Sequence, residues 1–317
     1  MQVKDIKNIC NLGTGTMGFG TALTFAKAGY SVRMFGRSDA SIERGFKSIN
    51  AALATYRENN LVAQADIPAI VGRIKGVTTL EAATEGADFV IESVAEDLNV
   101  KREVHAKIDK LCPAHTILAT DTSGLSPTAI AEAVSRKDKF VVAHFWNPAH
   151  LLPLVEVVPG KHTARETVDI TVKLLEIIGK KPIPLKREAP GFIGNRMQYA
   201  LLREAMYIVD SGIASKEAVD ATVKYSIGRR LGVTGPLETA DLGGLDIFYN
   251  ISEYMMPDLC DSHEVSRVLK DPVDKGNYGA KTGTGIYDWT PEGLAKIRKM
   301  REKILIEWLL KDKNYVF

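Results

Sequence analysis

A short apolar run, Asn8-Ile9-Cys10-Asn11-Leu12, leads straight into Gly13-Thr14-Gly15-Thr16-Met17-Gly18 and then into an Ala-rich helical stretch that ends at Gly29. Few arrangements accept three glycines at that spacing between a strand and a helix. Gly13 permits the tight turn, Gly15 lets backbone N–H groups approach a pyrophosphate, and Gly18 lets the helix pack closely on the strand. Thr16 and Met17 complete the turn, although Met17 and Phe19 also read as core side chains. A second apolar run, Ser31 to Phe35, follows where a βαβ unit needs it, so the motif predicts a dinucleotide site.

The alternation continues. Phe89-Ser93, Ile117-Asp121, Phe140-Phe145, Leu154-Val158 and Pro182-Leu185 read as further strands, separated by helical patterns. This predicts an α/β fold, a Rossmann-like doubly wound, mostly parallel sheet. Ligands of such sheets sit at the carboxyl ends of the strands, where Gly13, Ser93, Ser123 and His144 fall. The stretch Ser38 to Arg73 is too long for one crossover helix and reads as a helical arm. After Pro190-Gly191 the strand signal disappears. Ile297, Met300, Ile304 and Trp308 then mark one face of a terminal helix. The expected domains are 1–187, binding the dinucleotide, and 188–317, a smaller all-helical domain.

Composition excludes several function classes. A net charge of +2, with no Lys/Arg run interleaved with aromatics, makes no case for nucleic acid or an acidic membrane surface. There is no apolar run long enough to span a bilayer and no signal-type N-terminus, so a cytoplasmic location is expected. Cys10, Cys112 and Cys260 fit neither a zinc site nor a redox pair, and the histidines lack metal-ligand spacing; no metal is expected.

His144 closes one apolar strand and Glu156 lies inside the next, twelve positions later. If they meet, the carboxylate sets the imidazole tautomer and stabilises the imidazolium, which makes a general base for an alcohol proton. Together with a dinucleotide site, that pair points to hydride transfer coupled to proton abstraction.

At this point the chain resembles the 3-hydroxyacyl-CoA dehydrogenase family nearly end to end. The resemblance rests on Gly13 to Gly18, Ala95-Glu96-Asp97-Leu98 with Lys101, Thr122-Ser123-Gly124, His144-Phe145-Trp146-Asn147-Pro148 through Glu156, and Pro190-Gly191-Phe192-Ile193-Gly194-Asn195-Arg196. It implies an NAD(P)-dependent dehydrogenase interconverting 3-hydroxy and 3-oxo groups of an acyl-CoA or a small hydroxy acid, and a homodimer formed through the C-terminal helical domain. It also implies His144 as base, Glu156 as its partner, Ser123 and Asn195 as holders of the reacting oxygen, and Glu96 and Lys101 near the cofactor ribose. On the residues alone, Ser123 could equally cap a helix, and His150 could line the substrate pocket or contact nothing.

Two departures from the family pattern bear on specificity. Where an acidic residue would accept the ribose 2′-hydroxyl, this chain has Gly36, followed by Arg37-Ser38. An arginine and a hydroxyl suit a 2′-phosphate, so NADP(H) is expected to be preferred, with NAD(H) also possible. The helical arm carries only Arg57 between Ser48 and Gly72, against Glu58 and Asp66, which is poorly suited to CoA phosphates. Together with Trp146 and Leu151-Leu152-Pro153, this resembles the branch of the family acting on small free substrates such as gulonate, carnitine and a pyridoxine catabolite. Two competing readings remain. A hydroxyisobutyrate-type dehydrogenase would need a lysine between Pro190 and Ala200, which is absent; a crystallin-like protein without turnover would not need Ser123, His144, Glu156 and Asn195.

Overall fold

The computed structural model describes residues 1–312. In chain order, the first part comprises β1 (Asn8–Leu12), α1 (Thr16–Lys27), β2 (Ser31–Phe35), α2 (Asp39–Glu58), α3 (Ile67–Gly72), β3 (Ile74–Val77), α4 (Leu80–Thr84), β4 (Phe89–Glu92) and α5 (Leu98–Leu111). It continues with β5 (Ile117–Thr120), α6 (Pro127–Ala131), β6 (Phe140–Phe145), β7 (Leu154–Pro159), α7 (Arg165–Ile177) and β8 (Lys181–Pro184). The eight strands form one sheet in the order β3-β2-β1-β4-β5-β6-β7-β8. Every neighbouring pair is parallel except β6 with β7. Sequence reading found seven of these strands; β3, four residues with Gly76 in the middle, was not among them.

Both faces of the sheet are covered, which is why its central strands read as unbroken apolar runs. Ile9, Phe89, Ile91, Ile117 and Ala119 point into one core cluster, whereas Cys10, Leu12, Val90 and Leu118 point into another. The helical arm is α2 and α3, interrupted at Asn59–Leu61, where Asn60 adopts a positive φ of 56°. One face of α2 is buried through Ile49, Leu53 and Tyr56.

Contacts divide the chain into residues 1–195 together with those from Arg301 onward, and residues 196–300. The compact first unit therefore runs past Arg187 and takes back the chain's last helical turns. Helices α8 (Gly194–Asp210), α9 (Lys216–Tyr225), α10 (Ile227–Arg230), α11 (Pro236–Gly243), α12 (Leu245–Met255), α13 (Arg267–Asp274) and α14 (Pro291–Asp312) make up the remainder. Ile306 of α14 is buried in the first unit's core, with Leu305 and Leu309 beside it. In the second unit no residue is fully buried, and Leu237, Leu242 and Tyr225 are 84%, 78% and 70% exposed.

Strand order reverses at β1, which has β2 on one side and β4 on the other. This is where a doubly wound sheet opens a ligand crevice. Gly13 follows β1 at φ +131°, and a Cβ there would lie 2.9 Å from Ser93 O at the end of β4. Gly18 is tighter: a Cβ would meet Gly13 O at 2.2 Å. Gly18→Ala must therefore push α1 off the β1 turn. It is expected to cost about 1–3 kcal/mol or more by overpacking and to weaken dinucleotide binding. Thermal unfolding with and without NAD(P)H tests this, and an unchanged midpoint and affinity would refute the close approach.

Candidate active site

The antiparallel pairing of β6 with β7 places His144 directly opposite Glu156. Directly paired residues project from the same face of a sheet, so the two side chains meet. His144 Nδ1 lies 2.9 Å from Glu156 Oε2, with the residues 5% and 1% exposed. That contact leaves Nε2 as the ring atom for proton transfer. Trp146 Nε1 also donates to Oε2 at 3.3 Å, while the backbone N–H groups of Ile193 and Gly194 donate to Oε1 at 2.8 and 3.0 Å. Burial alone would raise the pKa of Glu156; the His144 contact and the two amides outweigh it and hold the carboxyl below its ordinary value. The rings of Trp146 and Phe192 flank His144 at 5.6 and 5.7 Å. Gly194 allows this packing, because a Cβ there would sit 2.2 Å from the Trp146 ring.

Ser123 lies just beyond the end of β5 and is exposed. It caps no helix: Ser126 caps α6, accepting from Ala129 N. Asn195 Nδ2 donates to Ser123 O at 2.7 Å, which ties the two residues together. Glu96 joins the same loop, accepting from the Thr122 hydroxyl at 2.6 Å and from Ser123 N at 2.8 Å.

Lys101 is only 1% exposed, and its nearer partner is Glu92 at 2.8 Å, with Glu96 at 3.4 Å. It therefore supports the wall of the site from behind. Sequence reading missed Glu92, the last residue of β4, which also accepts from Thr120 Oγ1 at 2.7 Å and Val94 N at 2.6 Å and contacts His105 Nε2 at 3.1 Å. Burial would raise this carboxyl, but His105 and Lys101 pull it down to about 2. Lys101, His105 and Asp109 recur every four residues, so α5 buries a polar stripe that an apolar-periodicity search cannot see.

A cavity of about 520 Å³ lies at the glycine turn, lined by Gly13, Thr14, Gly15, Gly36, Ser93 to Ala95 and the cations Arg37, Arg44 and Lys107. Helix α1 begins beside it with Gly15 at its N-cap and no side-chain cap, and a Cβ at Gly15 would meet nothing within 4 Å. Uncapped N–H groups over open space suit a pyrophosphate. Arg44 and Lys107 were not singled out from the sequence; they come from α2 and α5, outside the motif. Gly36 is packed, since a Cβ would fall 2.5 Å from Ser41 Oγ and 2.9 Å from Ile42 Cγ1. Ser38 is the N-cap of α2, accepting from Ser41 N at 3.3 Å.

Two further groups lie near the site: sequence reading gave Asp121 no role and left His150 between lining the substrate pocket and contacting nothing. Asp121 accepts from Phe145 N at 2.7 Å and Ser93 Oγ at 3.2 Å; burial pushes its pKa well up against these bonds, and Glu92 adds to the rise. His150 packs between Phe19 and Tyr56, with ring centroids 5.3 and 6.0 Å away, and its Nδ1 is buried without a hydrogen-bond partner. Among the described residues no cluster of three metal-ligating side chains occurs, and no helix is long and apolar enough to cross a membrane.

Residues 8–188 match the model of the 3-hydroxyacyl-CoA dehydrogenase NAD-binding domain, and residues 191–289 match that of the C-terminal domain of the same family. The chain is 34% identical over 301 residues to the 5-formyl-3-hydroxy-2-methylpyridine 4-carboxylate 5-dehydrogenase of Mesorhizobium japonicum, covering 95% of this chain and 96% of that one. It is also 34% identical over 279 residues to the 3-hydroxybutyryl-CoA dehydrogenase of Clostridioides difficile, covering 88% of this chain and 98% of the other. A solved structure of a 5-formyl-3-hydroxy-2-methylpyridine 4-carboxylic acid 5-dehydrogenase, described as an NAD+-dependent dismutase, aligns with a TM-score of 0.90 over 95% of this chain and 97% of its own.

His150 yields a test of the packing around the site. Burial, reinforced by Lys180 and Lys27, lowers its pKa from 6.5 to about 4. Unfolding between these values takes up a proton, so stability falls as pH drops from 6.5 toward 4 and levels off below. His150→Phe is expected to remove that slope, worth up to about 3 kcal/mol. Urea unfolding at pH 4.5 and 7 compares the two proteins; equal pH dependence would mean that His150 is solvated.

Proposed function

Because the chain belongs to the 3-hydroxyacyl-CoA dehydrogenase family, we propose that it interconverts a hydroxyl and an oxo group of a small free substrate, with a nicotinamide cofactor and His144 as the acid–base group. The observation that carries this reading is the buried His144–Glu156 pair at 2.9 Å. In oxidation, His144 Nε2 takes the hydroxyl proton while Glu156 stabilises the resulting imidazolium. The nicotinamide ring, when bound, accepts the carbinol hydrogen as hydride in this direction and donates it in the other. Ser123 and the second N–H of Asn195 Nδ2 are read as donors to the substrate oxygen, where charge changes as the proton moves. In reduction His144 returns the proton.

A free substrate fits better than a CoA thioester. Arg57, the one basic residue of the arm between Ser48 and Gly72, is already engaged with Gln64 at 3.1 Å and Glu58 at 3.9 Å. Identity is slightly higher to a probable 3-hydroxybutyryl-CoA dehydrogenase of Bacillus subtilis, 37% over 90% of this chain, but the pyridine-carboxylate enzyme matches more of this chain, 95%, and a solved structure of such an enzyme aligns with a TM-score of 0.90. The helical unit, with no buried residue of its own among those described, is read as the surface that pairs with a second copy of the chain. The three cysteines are unpaired, which suits a reducing, cytoplasmic compartment.

His144→Ala is expected to lower turnover by about 10²–10⁴-fold, and Glu156→Gln by a smaller factor, while reduced cofactor still quenches tryptophan fluorescence. Steady-state rates on free 3-hydroxy and 3-oxo acids, alongside acyl-CoA thioesters, decide both role and substrate class. A folded His144→Ala protein with native turnover would end this mechanism.

The family's NAD-binding domain accounts for a nicotinamide dinucleotide; we read the finer preference as NADP(H). Arg37, Arg44 and Lys107 line the cavity, and none of its lining residues is acidic. A charge-assisted hydrogen bond to a 2′-phosphate contributes roughly 1.5–3 kcal/mol. Arg37→Ala and Arg44→Ala should thus each lower kcat/KM for NADPH by about tenfold to a hundredfold and leave NADH nearly unchanged. Gly36→Asp is not a clean converse, since Gly36 has no room for a Cβ. Native efficiency with NADH equal to or above that with NADPH would show that these cations face solvent instead.

A further inference from the structure

The loop between β6 and β7 joins the strand of His144 to the strand of Glu156, and it is held from three sides. Lys180, between α7 and β8, donates through Nζ to Ala149 O at 2.5 Å and to Leu152 O at 2.9 Å. The hydroxyl of Tyr56, on α2, donates to the His150 carbonyl. On the third side Gly20 of α1 lets the loop lie against the helix, since a Cβ there would come 3.0 Å from Ala149 Cβ.

Lys180 is the unusual member. It is 7% exposed, and among the described residues no carboxylate pairs with it. Burying an ammonium without a counter-ion is costly, and a position that needed only volume would hold an apolar residue. A lysine contributes N–H donors here, to two carbonyls that no backbone amide reaches. Lys27 on α1 and His150 on the loop lie within electrostatic reach of it. Burial, with Lys27 adding, brings the amine down to about 7. Two carbonyl acceptors match the two N–H bonds of a neutral amine, so losing the third proton does not undo the arrangement. Underneath, the ring of Phe145, the residue after His144, lies 5.9 Å from Nζ.

We propose that Lys180 is a positioning residue for the His144–Glu156 pair: by tying down Ala149 O and Leu152 O it fixes the loop between β6 and β7, and with it the separation of imidazole and carboxylate. The inference rests on reading His144 as the acid–base group.

Lys180→Met keeps the length of the side chain and removes the donors. The expected result is a kcat lower by about tenfold to a hundredfold, the cost of a modest misplacement, with cofactor KM within about twofold of native. The His144 ring, followed by NMR against pH, should titrate at lower pH because Glu156 stabilises its cation less. Lys180→Arg, which retains donors, should recover part of both. If Lys180→Met does not fold, Tyr56→Phe asks the same question by deleting the loop's third bond, and a smaller loss with the same direction of titration shift is expected. Native kcat with an unmoved His144 titration in the folded variant would overturn the proposal, as would a loss of kcat without that shift. Should the native protein turn over no hydroxy or oxo substrate, the functional reading fails on its own, and the NMR titration still decides the role of Lys180.

Discussion

Antiparallel pairing of β6 with β7, in a sheet whose other pairs are parallel, is the constraint on which the site depends. A parallel neighbour would require a long crossover; the reversal lets a short loop return the chain, with His144 and Glu156 directly opposed. A slip of one residue would turn one of the two to the other face of the sheet. Both oxygens of Glu156 are then occupied, Oε2 by His144 and Trp146 and Oε1 by the amides of Ile193 and Gly194. One carboxylate thus sets the imidazole and holds the segment from which Asn195 reaches Ser123.

The charges behind the site are treated in two ways. Glu92 gathers Lys101, His105, Thr120 and a backbone amide, so a fully buried carboxylate is matched by a full set of donors. Its cation Lys101 continues to Glu96, and Glu96 to Ser123, which connects the interior of the sheet to the loop expected to hold substrate. Among the described residues, Asp121 and Lys180 form no ion pair, although Lys101 acts on Asp121 from a distance. For them, burial moves the pKa toward the neutral form, and hydrogen bonds to the backbone beside His144 and to the following loop define their place.

At the cofactor end, close backbone approach matters more than side-chain chemistry. Gly13, Gly18 and Gly36 each occupy a place where a Cβ would fall within 3 Å of a neighbouring atom. Of the cations that could choose between cofactors, Arg37 follows β2 directly, while Arg44 and Lys107 stand on α2 and α5.

Much was legible in the residues. The glycine turn, seven strands and the all-helical C-terminal part follow from local pattern, because strand period, turn chemistry and fingerprint spacing are properties of neighbouring residues; Ser123, His144, Glu156 and Asn195 were singled out by motif order and family resemblance. Other features depend on partners far apart in the chain, and only the tertiary structure decided them. Glu92 reads as one more position in an apolar strand until α5 brings Lys101 and His105 onto it. Ser38 suggested a phosphate ligand, yet it caps its own helix, while Arg44 and Lys107 reach the cavity from other elements. Lys180, beside Lys181 at a strand edge, looks like any surface lysine until the loop closes over it. Sequence determined which local structures could form. Register and packing decided which distant polar groups meet, because burial makes an unpaired group expensive only once the chain has folded around it.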